Sequence, residues 1–226
     1  AGLLPTLARL RREGVAAPLL SVLPTQSAAA WASFMTGQQP VVHGVFDFLA
    51  RQPDGAYRHA KPAPGSTLWA WLNRAGLRVG AINFPVTYPP DPVQPFQVSG
   101  MLSLEQPPFT QPPTLAADIR RAVPDYRLDL EWQLYADRPA ALLADSIQMT
   151  QARVRLVETL AARYTLDVLA VAYISPDRLL HALWWMLDPT HPAAFLRLAA
   201  ALQPAWQTSW RTLDEAVART LAAADG

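Results

Sequence analysis

Three short apolar runs, separated by helix-like segments, are the feature that most constrains the fold of this chain. They cover residues 17–23 (APLLSVL), 77–84 (LRVGAINF) and 166–174 (LDVLAVAYI), and residues 96–101 (FQVSGM) form a weaker fourth run. Continuous apolar runs of this length are typical of strands that are buried on both faces of a parallel sheet. Their alternation with helices predicts an α/β domain with a doubly wound, mostly parallel sheet flanked by helices.

The segments between these runs show helical patterns. Ser66 or Thr67 is predicted to cap a helix that Gly76 ends, and another helix is expected to begin near Ser27. Further helices are predicted at 3–13, 114–123, 139–163 and 213–224, whereas the prolines clustered in 85–95 and 107–113 predict loops. Because an α/β domain normally returns to a strand after a helix, we expect residues 1–226 to be one incomplete domain of a longer protein.

Composition limits the partners of the chain. Nineteen basic residues balance eighteen acidic ones without long runs of one sign, so we expect no binding to nucleic acid polymers or to an anionic membrane. No apolar stretch approaches the roughly 20 residues of a membrane-spanning helix, and no signal peptide opens the chain. The sequence therefore predicts a soluble chain and slightly favours the cytoplasm. Since there is no cysteine, a metal site must use histidine and carboxylate ligands.

Candidate site residues follow two of the predicted strands, where ligands of open α/β sheets bind. Ser27 stands among alanines at a predicted helix start, so its hydroxyl could attack a phosphorus atom held by free backbone N–H groups. The alternative is that Ser27 is simply a helix cap. Asp177 and His181 are four residues apart on one helix face and could share a zinc ion, or could merely stabilise the helix start. We expect all three side chains at the same edge of the sheet.

Taken in order, these residues resemble the type I phosphodiesterase and nucleotide pyrophosphatase branch of the alkaline phosphatase superfamily. The opening stretch contains an LPxLxxL helix, a PTQS turn, a TG and an HG. The strings AINFPVTYPP, SPDRLLHALWW and LDEAVARTL then follow in the same order and spacing. The resemblance covers nearly the whole chain and implies an alkaline-phosphatase-like fold.

The resemblance also implies a hydrolase that uses two divalent metal ions, usually zinc, and a small phosphate-ester substrate. Ser27 falls at the position of the nucleophile, which also contacts metal, and Asp177 and His181 fall on two ligands of one ion. In such a mechanism one ion lowers the pKa of the Ser27 hydroxyl, and the alkoxide attacks phosphorus to form a phosphoseryl enzyme. Water activated on the ion held by Asp177 and His181 then hydrolyses this intermediate.

The chain also departs from the family pattern. The remaining ligands of the family are an Asp before the opening helix and an Asp-His pair and a further His after the closing helix, and none has a match here. We therefore predict that these residues alone hydrolyse substrate poorly, because zinc sites normally hold three or four protein ligands. Two other hypotheses stay open, namely a ligand-binding or scaffold domain without catalysis and a phosphate-group transferase on the same fold.

The residues around the nucleophile position bear on the substrate. Ala28 to Trp31 lack the Pro and Arg of sulfatase nucleophile motifs, and Gln26 stands where alkaline phosphatases have Asp. Both differences favour a phosphodiester over a sulfate ester or a simple monoester. Phe48 stands where some nucleotide pyrophosphatases have a phosphate-contacting Asn, so nucleotide, lipid and phosphonate esters all stay open as substrates.

Overall fold

A computed structural model describes residues 2–103, 109–186, 188, 190–191 and 196–224. Within these residues the chain is a mixed α/β structure. Its helices are α1 (Pro5–Glu13), α2 (Ser27–Thr36), α3 (Pro40–His43), α4 (Leu68–Arg74), α5 (Leu115–Ala122), α6 (Pro139–Arg163), α7 (Ser175–Leu183) and α8 (Leu196–Ala224). Its strands are β1 (Leu49–Arg51), β2 (Tyr57–His59), β3 (Val79–Phe84), β4 (Pro95–Ser99), β5 (Thr110–Gln111) and β6 (Val168–Val171), and two short 3-10 helices span Trp132–Tyr135 and Trp184–Met186.

The larger sheet has four strands in the order β5-β4-β3-β6. The central strand β3 pairs in parallel with both β4 and β6, so that Val79 lies beside Pro95 on one side and Val168 on the other. Only β5 runs antiparallel, at the edge. All six residues of β3 are buried, which explains why its sequence is continuously apolar instead of alternating. The prediction of a mostly parallel sheet is therefore confirmed.

The strand predicted at residues 17–23 is wrong. This segment has no regular secondary structure, and Leu19 and Leu20 are 95% and 93% exposed. An apolar run becomes a strand only where a neighbouring strand satisfies its backbone N–H and C=O groups. No strand among the described residues pairs with it. Sequence pattern alone carries no information about whether such a partner is present.

Most of the predicted helices are confirmed, because their signals are local. α6 has the predicted bounds, and Thr67, not Ser66, caps α4 by accepting a hydrogen bond from the Ala70 N–H at 3.4 Å. The prolines of 85–94 lie in a loop between β3 and β4, as predicted. Pro95 was also predicted to lie in this loop but begins β4, because a strand tolerates proline as its first residue. Of the second proline cluster, residues 107 and 108 lie outside the described residues, and Thr110–Gln111 forms the short edge strand. No helix in the described part of the chain combines the length and apolar character needed to cross a bilayer.

The described residues form two compact units, each with its own interior. The first combines parts of Ala1–Ala16, Asp125–Glu158 and Tyr173–Gly226, and the second Ala17–Pro124 and Thr159–Ala172. In the first unit, Leu142, Leu143 and Leu156 are fully buried.

The interior of the second unit joins α2 to the sheet. Ala28, Ala32 and Met35 of α2 belong to one buried cluster with Trp69 and Phe84. Because alanine has the smallest apolar side chain, this face of α2 can approach β3 closely.

Candidate active site

Ser27 is the first residue of α2, but it is not the helix cap. The cap is Gln26, whose side-chain oxygen accepts a hydrogen bond from the Ala28 N–H at 3.0 Å. The interpretation of Ser27 as a cap is therefore wrong, because the chain enters the helix one residue earlier than the serine suggests. Ser27 is exposed, and no hydrogen bond within the described part of the chain uses its hydroxyl. The hydroxyl is thus available for chemistry at the positive end of the helix dipole.

The alanines after Ser27 pack in the interior. Ala28, Ala29 and Ala32 are completely buried. Ala28 and Ala32 belong to the buried cluster of the second unit. The small side chains fix where α2 lies on the sheet, and this packing sets the position of Ser27.

Gln26 also ties the start of α2 to the HGVFDF loop. Its side-chain nitrogen donates a hydrogen bond to Oδ1 of Asp47 at 2.8 Å, and the same oxygen accepts one from the Phe48 N–H at 2.6 Å. A carboxylate therefore lies beside the residue that precedes the candidate nucleophile. Sequence reasoning gave Asp47 no role, because nothing local indicates that it reaches back 21 residues to Gln26.

His43 joins α2 to α3. Its Nδ1 accepts a hydrogen bond from the Val45 N–H at 3.1 Å, and its Nε2 lies 2.9 Å from the Ser33 hydroxyl. Burial lowers the pKa of His43 and so favours the neutral ring. Because Nδ1 is an acceptor, the proton of the neutral ring is on Nε2 and is donated to Ser33. His43 thus stabilises the loop and does not act as a base toward Ser33.

Asp177 and His181 are brought together by α7 as their spacing predicts. Oδ1 of Asp177 lies 3.6 Å from Nε2 of His181, and the two side chains are 35% and 54% exposed. Two ligands that each lie about 2.1 Å from a tetrahedral zinc ion are about 3.4 Å from each other. The separation in α7 therefore fits two ligands of one ion, with only a small movement needed.

The other oxygen of Asp177 is bound by Arg178. Nη1 of Arg178 donates to Oδ2 of Asp177 at 3.1 Å, while its Nε donates to Oδ1 of Asp129 at 2.7 Å and its Nη2 pairs with the second oxygen of Asp129. Arg178 is only 7% exposed, so its ion pair with Asp129 is largely shielded from water. The arginine thus engages Oδ2 of Asp177, whereas Oδ1 is the oxygen that lies toward His181.

The ring of His181 is held by an aromatic neighbour. Trp132 stacks on it with the ring centroids 5.5 Å apart and the planes only 7° from parallel. Sequence reasoning missed Asp129, Trp132 and Arg178. Arg178 stands between the two candidate ligands in the sequence, but its partner lies 49 residues earlier, and no local pattern connects the two.

The candidate ligands are a pair within the residues described. Among those residues, no group of three or more His, Cys, Asp or Glu side chains is arranged to hold a metal ion. Since zinc normally takes three or four protein ligands, a complete site needs further ligands beside Asp177 and His181. These two side chains belong to the first unit, and Ser27 belongs to the second. Their common position at one sheet edge therefore stays a prediction.

The chain was compared with protein families, with curated proteins and with solved structures. A family model described as type I phosphodiesterase / nucleotide pyrophosphatase matches residues 1–226, the whole chain. Searches of curated proteins and of solved structures give no match.

Proposed function

Because the chain belongs to the type I phosphodiesterase / nucleotide pyrophosphatase family, we propose that it is a phosphoric ester hydrolase in which Ser27 is the nucleophile. The observation that carries this proposal is the position of Ser27. Its exposed hydroxyl is free of other hydrogen bonds in the described residues and lies in the first turn of α2, a ten-residue helix. Unpaired N–H groups at a helix start stabilise negative charge, as on the oxygens of a phosphate ester.

The reaction that we propose proceeds in two displacement steps. Oγ of Ser27 loses its proton and forms a bond to phosphorus while the bond from phosphorus to the leaving oxygen breaks, and the leaving oxygen takes up a proton, so that no net proton is gained or lost. The resulting phosphoseryl intermediate keeps the remaining ester group of a diester. Water then attacks phosphorus, the bond to Oγ breaks, and the serine hydroxyl is restored. Backbone N–H groups of α2 would stabilise the charge that develops on the non-bridging oxygens.

Asp177 and His181 are proposed to bind a divalent metal ion. A carboxylate and an imidazole suit zinc, and their 3.6 Å separation fits a shared ion. When bound, such an ion would neutralise phosphate charge and lower the pKa of a coordinated hydroxyl or water. The two side chains contribute the binding and orientation of the ion, and Trp132 limits the rotation of the His181 ring.

The preferred substrate class is a phosphodiester. In this chain the residue before Ser27 is Gln26, which is occupied as the helix cap and in the hydrogen bond to Asp47. It therefore supplies a neutral amide where alkaline phosphatases have a carboxylate. This difference supports a diester, with its single negative charge, over a phosphate monoester.

The test is an activity assay in which the protein, as its gene encodes it, is given bis(p-nitrophenyl) phosphate in the presence of zinc. We expect Ser27→Ala to lower kcat by about 10³-fold or more and Ser27→Thr to retain activity. Ser21→Ala, at an exposed serine outside α2, is the matched control and should leave kcat unchanged. Acid quenching and mass spectrometry should find the aryl phosphate on Ser27.

Two results would contradict this function. Full activity of Ser27→Ala would remove the nucleophile from the proposal. Formation of a new ester with an added alcohol, instead of the free p-nitrophenyl monoester, would identify a transferase.

A further inference from the structure

Arg178 lies between two carboxylates that accept different numbers of hydrogen bonds from it. Asp129 takes the Nε and Nη2 side of the guanidinium with both of its oxygens, whereas Asp177 receives a single hydrogen bond from Nη1. The side chains of Arg178 and Asp129 are 8% and 18% exposed, so water competes little for these contacts. The guanidinium is thus bound more extensively by Asp129 than by Asp177.

This division matters because arginine and a metal ion compete for the same carboxylate. A guanidinium has a planar fork of donors that fits both oxygens of a carboxylate at once. If Asp177 were bound in that way, both of its oxygens would be engaged and its negative charge would be neutralised. A cation would then be attracted to it less strongly.

We propose that Asp129 is a positioning residue for metal binding, because it holds Arg178 and so keeps Oδ1 of Asp177 available to an ion shared with His181. The inference rests on the proposed function, in which Asp177 and His181 bind a divalent cation. Side chains outside the ligand set that control how available a ligand is typically change metal affinity by about 10–100-fold when they are removed.

The same short segment also orients the second ligand. Asp129 precedes the 3-10 helix Trp132–Tyr135, which packs against α7, and Trp132 of that helix stacks on the His181 ring. Residues 129–132 therefore contact Asp177 through Arg178 and His181 directly. The segment therefore influences the orientation of both candidate ligands, and its own sequence does not indicate this.

The net charge of three side chains provides a test, because a second substitution should reverse the effect of the first. Asp129, Arg178 and Asp177 together carry a net negative charge. Asp129→Asn leaves the group neutral and frees Arg178 to bind both oxygens of Asp177. The double variant Asp129→Asn/Arg178→Gln restores the net charge of the native group and removes the competing guanidinium. A purely structural role would instead make the double variant at least as impaired as the single one.

The experiment is a titration of the protein, as its gene encodes it, with Zn²⁺, in which binding is monitored by NMR of the His181 imidazole and by calorimetry. We expect Asp129→Asn to weaken zinc binding by about tenfold or more and the double variant to recover to within about threefold of the native chain. Arg178→Gln alone should bind zinc no more weakly than the native chain. Asp125→Asn, which breaks the more exposed pair with Arg155, is the control and should not change the affinity.

Unchanged affinity in Asp129→Asn, or a double variant as weak as Asp129→Asn, would overturn the inference. If Asp129→Asn does not fold, the Arg178→Gln variant decides, because weaker zinc binding in it contradicts the competition. A native chain whose His181 signals do not respond to zinc would overturn the metal site itself and this inference with it. The experiment therefore distinguishes the absence of a zinc site at Asp177 and His181 from the absence of a positioning role for Asp129.

Discussion

Asp167 and Arg78 bind each other through both backbone and side chain at the start of adjacent parallel strands. The Arg78 N–H donates to Oδ2 of Asp167 at 2.7 Å, and the guanidinium adds hydrogen bonds of 2.9 Å to each carboxylate oxygen. The Asp167 N–H in turn donates to the Arg78 carbonyl at 2.9 Å. The two residues directly precede β3 and β6, and their reciprocal contact links the strands next to the first pair of the register, Val79 and Val168.

We predict that this pair makes stability sensitive to acid. The hydrogen bonds from Arg78 hold the pKa of Asp167 well below its usual value. A carboxylate with a lowered pKa in the folded state contributes stability above its unfolded pKa of about 3.9, and that contribution is lost as the pH falls below it. Urea unfolding at pH 7 and pH 3 should therefore show a smaller pH effect in Asp167→Asn. An identical pH effect in both proteins would contradict the prediction.

Asp214 is predicted to stabilise α1 as a cap supplied by another helix. Its two oxygens accept hydrogen bonds from the Thr6 and Leu7 N–H groups, each at 2.9 Å, although α1 itself has no buried residue. Removing a carboxylate cap costs about 1 kcal/mol, so Asp214→Ala should lower the free energy of unfolding by about that amount. Hydrogen exchange at Thr6 and Leu7 should accelerate. The neighbouring variant Glu215→Ala, at an exposed side chain, should show neither effect.

His43 is predicted to lower stability when it is protonated. Because burial lowers its pKa in the folded state, the unfolded chain takes up a proton at higher pH than the folded chain. Stability is therefore complete above about pH 6.5 and decreases as the pH falls below that value. The difference in Tm between pH 7.5 and pH 5.5 should be smaller in His43→Gln. NMR titration of the His43 ring should give a pKa below 6.5, and a higher value would refute this account.

The buried alanine face of α2 is predicted to tolerate no larger side chain. Ala32 has no exposed surface and belongs to the cluster that joins α2 to β3. Ala32→Leu should therefore destabilise the protein by about 1–3 kcal/mol in urea unfolding, because the helix must move away from the sheet. Ala30→Leu, at a half-buried position of the same helix, provides the comparison and should cost less. Equal stability of the two variants would show that α2 is loosely packed.

The parts of the site that were predictable depend on spacing along a single helix. Asp177 and His181 meet because residues four apart on an α-helix share a face, whatever else surrounds α7. The long amphipathic pattern that begins at Pro139 likewise defined α6 without knowledge of its neighbours. In contrast, Gln26 replaced Ser27 as the cap of α2, since the cap is decided by the direction from which the chain enters the helix.

Sequence by itself determined the family of this chain, the alternation of helices with buried strands, and the residues offered for chemistry at Ser27, Asp177 and His181. Only the tertiary structure decided that residues 17–23 form no strand, that the alanines after Ser27 are interior packing, and that Asp129 holds Arg178 beside Asp177. The physical reason is the range of the interactions. Helix spacing is set by hydrogen bonds between neighbours in the chain, whereas strand pairing, packing and ion pairs require groups that are distant in sequence to meet in space.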